Sequence, residues 1–178
     1  ATIRTDDTMA TRSLTRPLLL SLACLLGNTA HASDWQLCHR SDVKALRFIT
    51  VGEARLLRQD CNVDDLLAAP MRLEFSYHRE VPGDAFAKAA MNFLEKNLND
   101  SDFEQLKPRF ERFNSHYRDI GDGDTYAMVY QDQQLQLMLN DEPLTDEQGD
   151  RFAKAYLRIW FGERPYSNNL KQALLGNP

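Results

Sequence analysis

An α+β domain, with helices laid on one face of an antiparallel sheet, is predicted by three features of this sequence. Residues 45–57 and 71–78 alternate apolar and polar side chains with a period of two. Two helical stripes follow, and a hairpin and a third helix complete the order. Strands, two helices, hairpin and helix in that succession build a helical layer over an antiparallel sheet.

In ALRFITVGEARLL, residues 45–57, the alternation puts Leu46, Phe48, Thr50, Gly52, Ala54 and Leu56 on an inward face and Arg47, Ile49, Val51, Glu53 and Arg55 on the other. Thr50 is then a hydroxyl among apolar neighbours. Residues 62–70 read as a polar turn around Leu66 and Leu67, and MRLEFSYH, residues 71–78, sets Met71, Leu73, Phe75 and Tyr77 on one side.

Pro82-Gly83-Asp84 ends the strand pattern, and Asp84 caps a helix running to about Leu98 with the stripe Phe86, Ala89, Ala90, Phe93 and Leu94. A second helix starts at Ser101 and repeats Phe103, Leu106, Phe110, Phe113 and Tyr117. Pro108 within it predicts a kink or local break. DIGDGDTYAM, residues 119–128, is a Gly/Asp turn feeding a strand, because neither register of a calcium loop fits once Gly121 or Thr125 and Tyr126 occupy ligand places.

Tyr126–Tyr130 and Gln134–Asn140 form a hairpin with Leu135, Leu137 and Leu139 on its buried face, and Asn140-Asp141 begins another turn. Thr145-Asp146-Glu147-Gln148 has capping-box spacing and opens a helix carrying Phe152, Tyr156, Ile159 and Trp160 on one side. Gly162 closes that helix, Pro165 forbids its continuation, and Ser167 opens a last short helix that Gly176 ends.

The first eight residues, ATIRTDDT, read as upstream sequence. From Met9, two arginines, the apolar run LLLSLACLLG at residues 18–27 and Ala30-His31-Ala32 have the layout of a signal peptide. Cleavage after Ala32 and export to the periplasm are therefore expected, with a single domain over residues 33–178. The apolar run is far short of the ~20 residues a spanning helix needs, so no membrane span is expected after cleavage. Ser21 stands where a lipoprotein box before Cys24 would carry Leu, and a lipid anchor is not expected.

Without residues 1–32, three arginines and two aspartates are lost and the net charge moves from −5 to −6. An acidic chain without a Lys/Arg-rich block argues against nucleic acid or an anionic membrane as partner. Cys38 and Cys61 remain. They are a disulfide candidate, although sequence does not show whether their Cα atoms approach. The competing metal site, which would add His39 and His78, has no C-x-x-C or H-x-x-x-H spacing, so neither a metal nor another cofactor is expected. His78 on a polar strand face and His116 near a helix end fit solvated or capping roles better than catalytic ones.

GDAFAKAAMNFLEKNL, IGDGDTYAMVY, QLQLMLNDEPL and RFAKAYLRIWFGERPYSNNLKQALLG occur here in the order in which similar stretches occur in bacterial chalcone isomerase-like proteins. The C-terminal stretch, with RIWFG and the closing ALLG, is the most specific. The chain resembles that family over roughly residues 35–176. The resemblance implies an open-faced β-sandwich, a large antiparallel sheet packed against a layer of helices with a cleft between them.

Plant enzymes of that fold close a flavanone ring using an arginine and a threonine on the first strands, a tyrosine and an asparagine on a helix, and a second threonine on a later helix. The resemblance matches Thr50 to the strand threonine and Asn92, within one residue, to the asparagine. It sets Phe86 at the tyrosine and Ile159 at the second threonine. Arg40 lies in a polar turn and Arg47 on the wrong face, so the arginine has no clear counterpart. Gly52 stands where bacterial relatives commonly have Tyr.

Losing hydroxyls each worth ~2.7–4 kcal/mol to a transition state argues against isomerase activity. The expected function is that of a non-catalytic exported protein binding a small hydrophobic ligand, a fatty acid or an aromatic metabolite, in a cleft lined by Phe48, Thr50, Phe86, Asn92, Ile159 and Trp160. An accessory protein acting through a periplasmic partner is the alternative. A residual isomerase using Thr50, Asn92 and a nearby arginine is the second.

Overall fold

The structure, a computed structural model, describes residues 34–45 and 48–177. Residues 1–8, expected to be upstream sequence, residues 9–32, expected to be a signal peptide and including Cys24, and Leu46 and Arg47 lie outside the described residues. Six strands form one sheet in sequence order: β1 (Gln36–Ala45), β2 (Ile49–Arg58), β3 (Met71–Tyr77), β4 (Thr125–Gln131), β5 (Gln134–Leu139) and β6 (Glu142–Gln148), every neighbouring pair antiparallel. Helices α1 (Gly83–Asn97) and α2 (Asp100–Asn114) connect β3 to β4, and α3 (Asp150–Phe161) and α4 (Asn168–Leu174) follow β6. None of the described helices is long and apolar enough to cross a membrane.

Alternation along the central strands separates two faces. Met71, Leu73, Phe75, Tyr126, Met128, Tyr130, Leu135 and Leu137 turn into one core with the helices. The opposite face carries ion pairs instead: Glu74, nearly buried there, binds Arg55 and Arg72 at 2.6 Å each, and Arg72 reaches Asp141 at 2.7 Å. The sheet is thus open on one side and layered with helices on the other, as the resemblance implies.

The two edge strands are where the structure departs furthest from sequence expectation. β1, QLCHRSDVKA, has no apolar alternation, and β6, EPLTDEQ, carries the capping-box spacing that predicts a helix start. Edge strands pair on one side only and tolerate polar residues and proline, so neither shows the pattern of a buried strand. Thr145 pairs with Leu137 in the sheet rather than capping α3. α3 begins after Gly149, whose φ of 101° turns the chain out of β6.

Smaller differences have local causes. Pro82 is the residue before α1 and Asp84 lies in its first turn. Asn99 caps α2 by accepting the Asp102 N–H at 2.9 Å, two residues before the expected start. Pro108 does not divide α2. It is exposed, and so is Glu104, whose carbonyl loses its helical donor and can turn to water. Both tight hairpins have left-handed centres, Asp132-Gln133 at φ 51° and 57° and Asn140-Asp141 at 49° and 65°. Ser167 caps α4 as expected, accepting from the Leu170 N–H.

Candidate functional site

A cavity of about 680 Å³ lies between β1–β3 and helices α1 and α3. Pro82, just before α1, lines it, and the face that α1 turns to it is Ala85, Phe86, Ala89, Ala90 and Phe93. Helical period places these five on one stripe, and three of them are alanine, so α1 stands off the sheet without filling the gap. From the sheet come Val43, Val51, Phe75 and Tyr77, and from α3 come Ile159 and Trp160.

The loop after α3 forms the far wall. Asn97, at the end of α1, donates its amide to the Arg164 carbonyl (2.7 Å) and accepts the Arg164 N–H (2.8 Å). The Tyr166 N–H donates to the Ile159 carbonyl at 2.7 Å, and its ring packs edge-on against Phe93 at 5.7 Å. Gly162 permits this close approach, since a Cβ there would strike the Asn97 side chain and the Arg158 carbonyl.

Three of the six residues expected in the cleft line it: Phe86, Ile159 and Trp160. The other three do not. Phe48 is 87% exposed in the turn between β1 and β2. Thr50 is exposed because β2 carries a bulge: Val43 pairs with Gly52 and Lys44 with Thr50, leaving Val51 as the extra residue. Val51 therefore turns into the cavity, and the alternation that correctly buries Ala54 and Leu56 is out of phase before it. Asn92 lies on the exposed side of α1, and the inward neighbour at that level is Phe93.

Gly52 is not among the residues that line the cavity. Opposite Tyr77 in the β2–β3 pair, it lies so near β3 that a Cβ would meet the Ser76 carbonyl oxygen. Arg40 is exposed on β1 and does not line the cavity. The charged groups that do, Arg79 and Glu80, are exposed neighbours on its rim.

Around Phe86 stand three tyrosines, with ring centroids at 5.3 Å for Tyr77, 5.5 Å for Tyr117 and 5.1 Å for Tyr126. Tyr126 Oη donates to the Arg118 carbonyl (2.6 Å) and accepts the Arg118 N–H (2.9 Å). Tyr156 Oη donates to Asn114 Oδ1 at 2.6 Å, so the 3.0 Å contact between Tyr117 and Tyr156 is donated by Tyr117. Asn114 is itself buried, and its Nδ2 has no partner among the described residues. Burial, with the neighbouring phenols, pushes the Tyr77 and Tyr117 hydroxyls well above their ordinary range, so both stay protonated.

Tyr77 and Val51 are site residues that the sequence reading does not include. The alternation of residues 71–78 already turns Tyr77 inward, a signal that could have found it; Val51 has none, because a bulge leaves no mark in a single sequence. The chemical capacity of the site is that of a hydrophobic container with neutral phenols. Elsewhere, Cys38 on β1 and Cys61 after β2 are joined as a disulfide with Cα atoms 5.4 Å apart.

Among known proteins, no curated one matches this chain. The crystal structure of a fatty-acid binding protein from Arabidopsis thaliana is similar, with a TM-score of 0.56 and 16% identity over 82% of this chain and 88% of that one. At that identity the likeness shows the fold. The family model described as chalcone isomerase-like matches residues 57–176, from the last residues of β2 to just past α4. With the sheet, the helical layer and this match over most of its length, the chain belongs to the chalcone isomerase-like family.

Proposed function

We propose that this protein binds a small hydrophobic molecule, a fatty acid or an aromatic metabolite, in the cavity between sheet and helices, and does not convert it. The observation that carries this reading is the cavity itself: about 680 Å³, walled by aromatic and aliphatic side chains, within the ~300–1,000 Å³ typical of small-molecule sites. The similar Arabidopsis thaliana structure is that of a fatty-acid binding protein, which supports the same class of ligand. Against turnover stand Phe86 and Ile159, which bring no hydroxyl to the walls they form, and Thr50 and Asn92, which face solvent.

Mass spectrometry of the purified protein, with thermal unfolding across a panel of fatty acids and phenolics, tests the reading. A co-purified apolar molecule, or a melting temperature that climbs with ligand concentration, supports it. Silence in both measurements overturns it. A chalcone absorbance assay is expected to match the buffer control, and a rate above that control would restore the isomerase reading.

We further propose that the chain is exported and matures at Ser33. The bond between Cys38 and Cys61 supports an oxidising compartment. Amino-terminal sequencing of protein from a periplasmic fraction should begin at Ser33, and an uncleaved cytoplasmic product would overturn the proposal.

A further inference from the structure

Most of the cavity wall is apolar, so its few polar groups decide what it selects. Three phenols surround Phe86, and two of them are engaged. Tyr126 is held by both backbone groups of Arg118, and the Tyr117 proton is directed to Tyr156, whose own proton goes to Asn114. The third, Tyr77, lines the cavity, and among the described residues its hydroxyl has no hydrogen-bond partner; Tyr166, the other lining phenol without one, is 38% exposed at the far wall.

Tyr77 is fixed from three sides. The Tyr77 N–H donates to the Asp124 carbonyl (3.0 Å), the Tyr77 carbonyl accepts the Gly123 N–H (2.8 Å), and the ring meets Phe86 edge-on. A positioned phenol at an apolar wall is a directional donor and acceptor awaiting an oxygen. Among the described residues the one cation that lines the cavity is Arg79, exposed at the rim beside Glu80. A carboxylate placed there would be stripped of water with only a neutral partner, which costs far more than one hydrogen bond returns.

We infer that Tyr77 Oη is the polar anchor of the cavity and that it selects ligands whose buried end carries a neutral oxygen, a hydroxyl, phenol or carbonyl, over ligands that would bury a carboxylate. The inference rests on the binding reading above and narrows it to a ligand chemistry. It also transfers to β3 a role that Phe86, lacking a hydroxyl, leaves unfilled.

Three probes of one shape test it: 2-naphthol, 2-methylnaphthalene and 2-naphthoate, titrated into the full chain and into Tyr77→Phe. The wild type should bind 2-naphthol about 5- to 10-fold more tightly than 2-methylnaphthalene, as one net hydrogen bond predicts, and 2-naphthoate most weakly. Tyr77→Phe should bring 2-naphthol down to the 2-methylnaphthalene value and leave 2-methylnaphthalene unchanged. Equal affinity of those two in the wild type, a preference that survives in Tyr77→Phe, or tightest binding of 2-naphthoate would overturn the inference while leaving the cavity a binding site. Binding of none of the three would overturn the binding reading and the anchor with it.

Discussion

One sheet supports two unlike interiors. Over β4–β6, helices α2 and α3 bring Phe110, Phe113, Phe152 and Tyr156 together, each at most 1% exposed, with ring centroids 4.9–6.2 Å apart. Over β1–β3, α1 brings Phe86 and Phe93 with alanines between them, and about 680 Å³ stays open. Both ends are aromatic. What separates them is the residue between the rings: α2 repeats large side chains at successive turns, while α1 alternates large with small. Close packing is the rule for interiors, and a volume this size forfeits dispersion contacts that an apolar guest would recover.

The contrast breaks most sharply at its closed end. Phe110→Ala should lose about 3–5 kcal/mol, read as a fall in the urea midpoint. A loss below ~1 kcal/mol would mean that this end is as loosely packed as the other. Next in size is the tie on the edge strand whose Val43 and Ala45 help wall the cavity. The bond from Cys38 to Cys61 spans 23 positions, and replacing both by Ser should cost roughly 3 kcal/mol in the chain-entropy model. If unfolding midpoints of the two forms coincide, β1 is held by its hydrogen bonds alone.

A third substitution acts on the open end. Ala89→Leu adds volume where the wall has room, so stability should shift by less than about 1 kcal/mol, whereas adding methylenes to a filled core typically costs ~1–3 kcal/mol. Binding of the same apolar probes should be lost. A large destabilisation, or unaltered binding, would show that the side chain does not enter the cavity.

The smallest effect is electrostatic. Asp124 accepts the Gly121 N–H and an Asn140 amide N–H, both at 2.7 Å, and these bonds hold its carboxyl below the usual carboxylate range. A folded-state value below the unfolded one adds stability above the unfolded pKa, and that stability is lost as pH falls through the folded value. The turn containing Asp124 also bonds the Tyr77 backbone, so acid should loosen the cavity end. Asp124→Asn should flatten the acid limb of stability against pH, although only in part, because Asp102 is lowered in the same way by Arg151 and Asn99. An unchanged limb would refute the assignment.

How much of this was legible varies by element. The stripes Phe103–Phe113 and Phe152–Trp160 and the alternation 71–78 announce buried faces, since residues buried on one side must repeat with the period of their element. β1 and β6 were silent because an edge strand pairs on one side only. Within the site, Phe86, Ile159 and Trp160 came from helices, where an error of one residue turns a side chain by about 100° and does not reverse its face outright. Asn92 shows the limit of that tolerance: one position separates it from Phe93 and solvent from cavity. Thr50 and Phe48 came from a strand, where one extra residue reverses every face.

Sequence alone therefore determined the family, the order of the central strands and helices, and the apolar stripes, all of them properties of local periodicity and motif. Tertiary structure decided the rest: that Val51 and not Thr50 enters the cavity, that of the three phenols around Phe86 Tyr77 is the one left without a partner among the described residues, and that α1 stands off the sheet. These depend on register between strands and on which side chains meet across layers. Such contacts join residues far apart in the chain, and no single stretch encodes them.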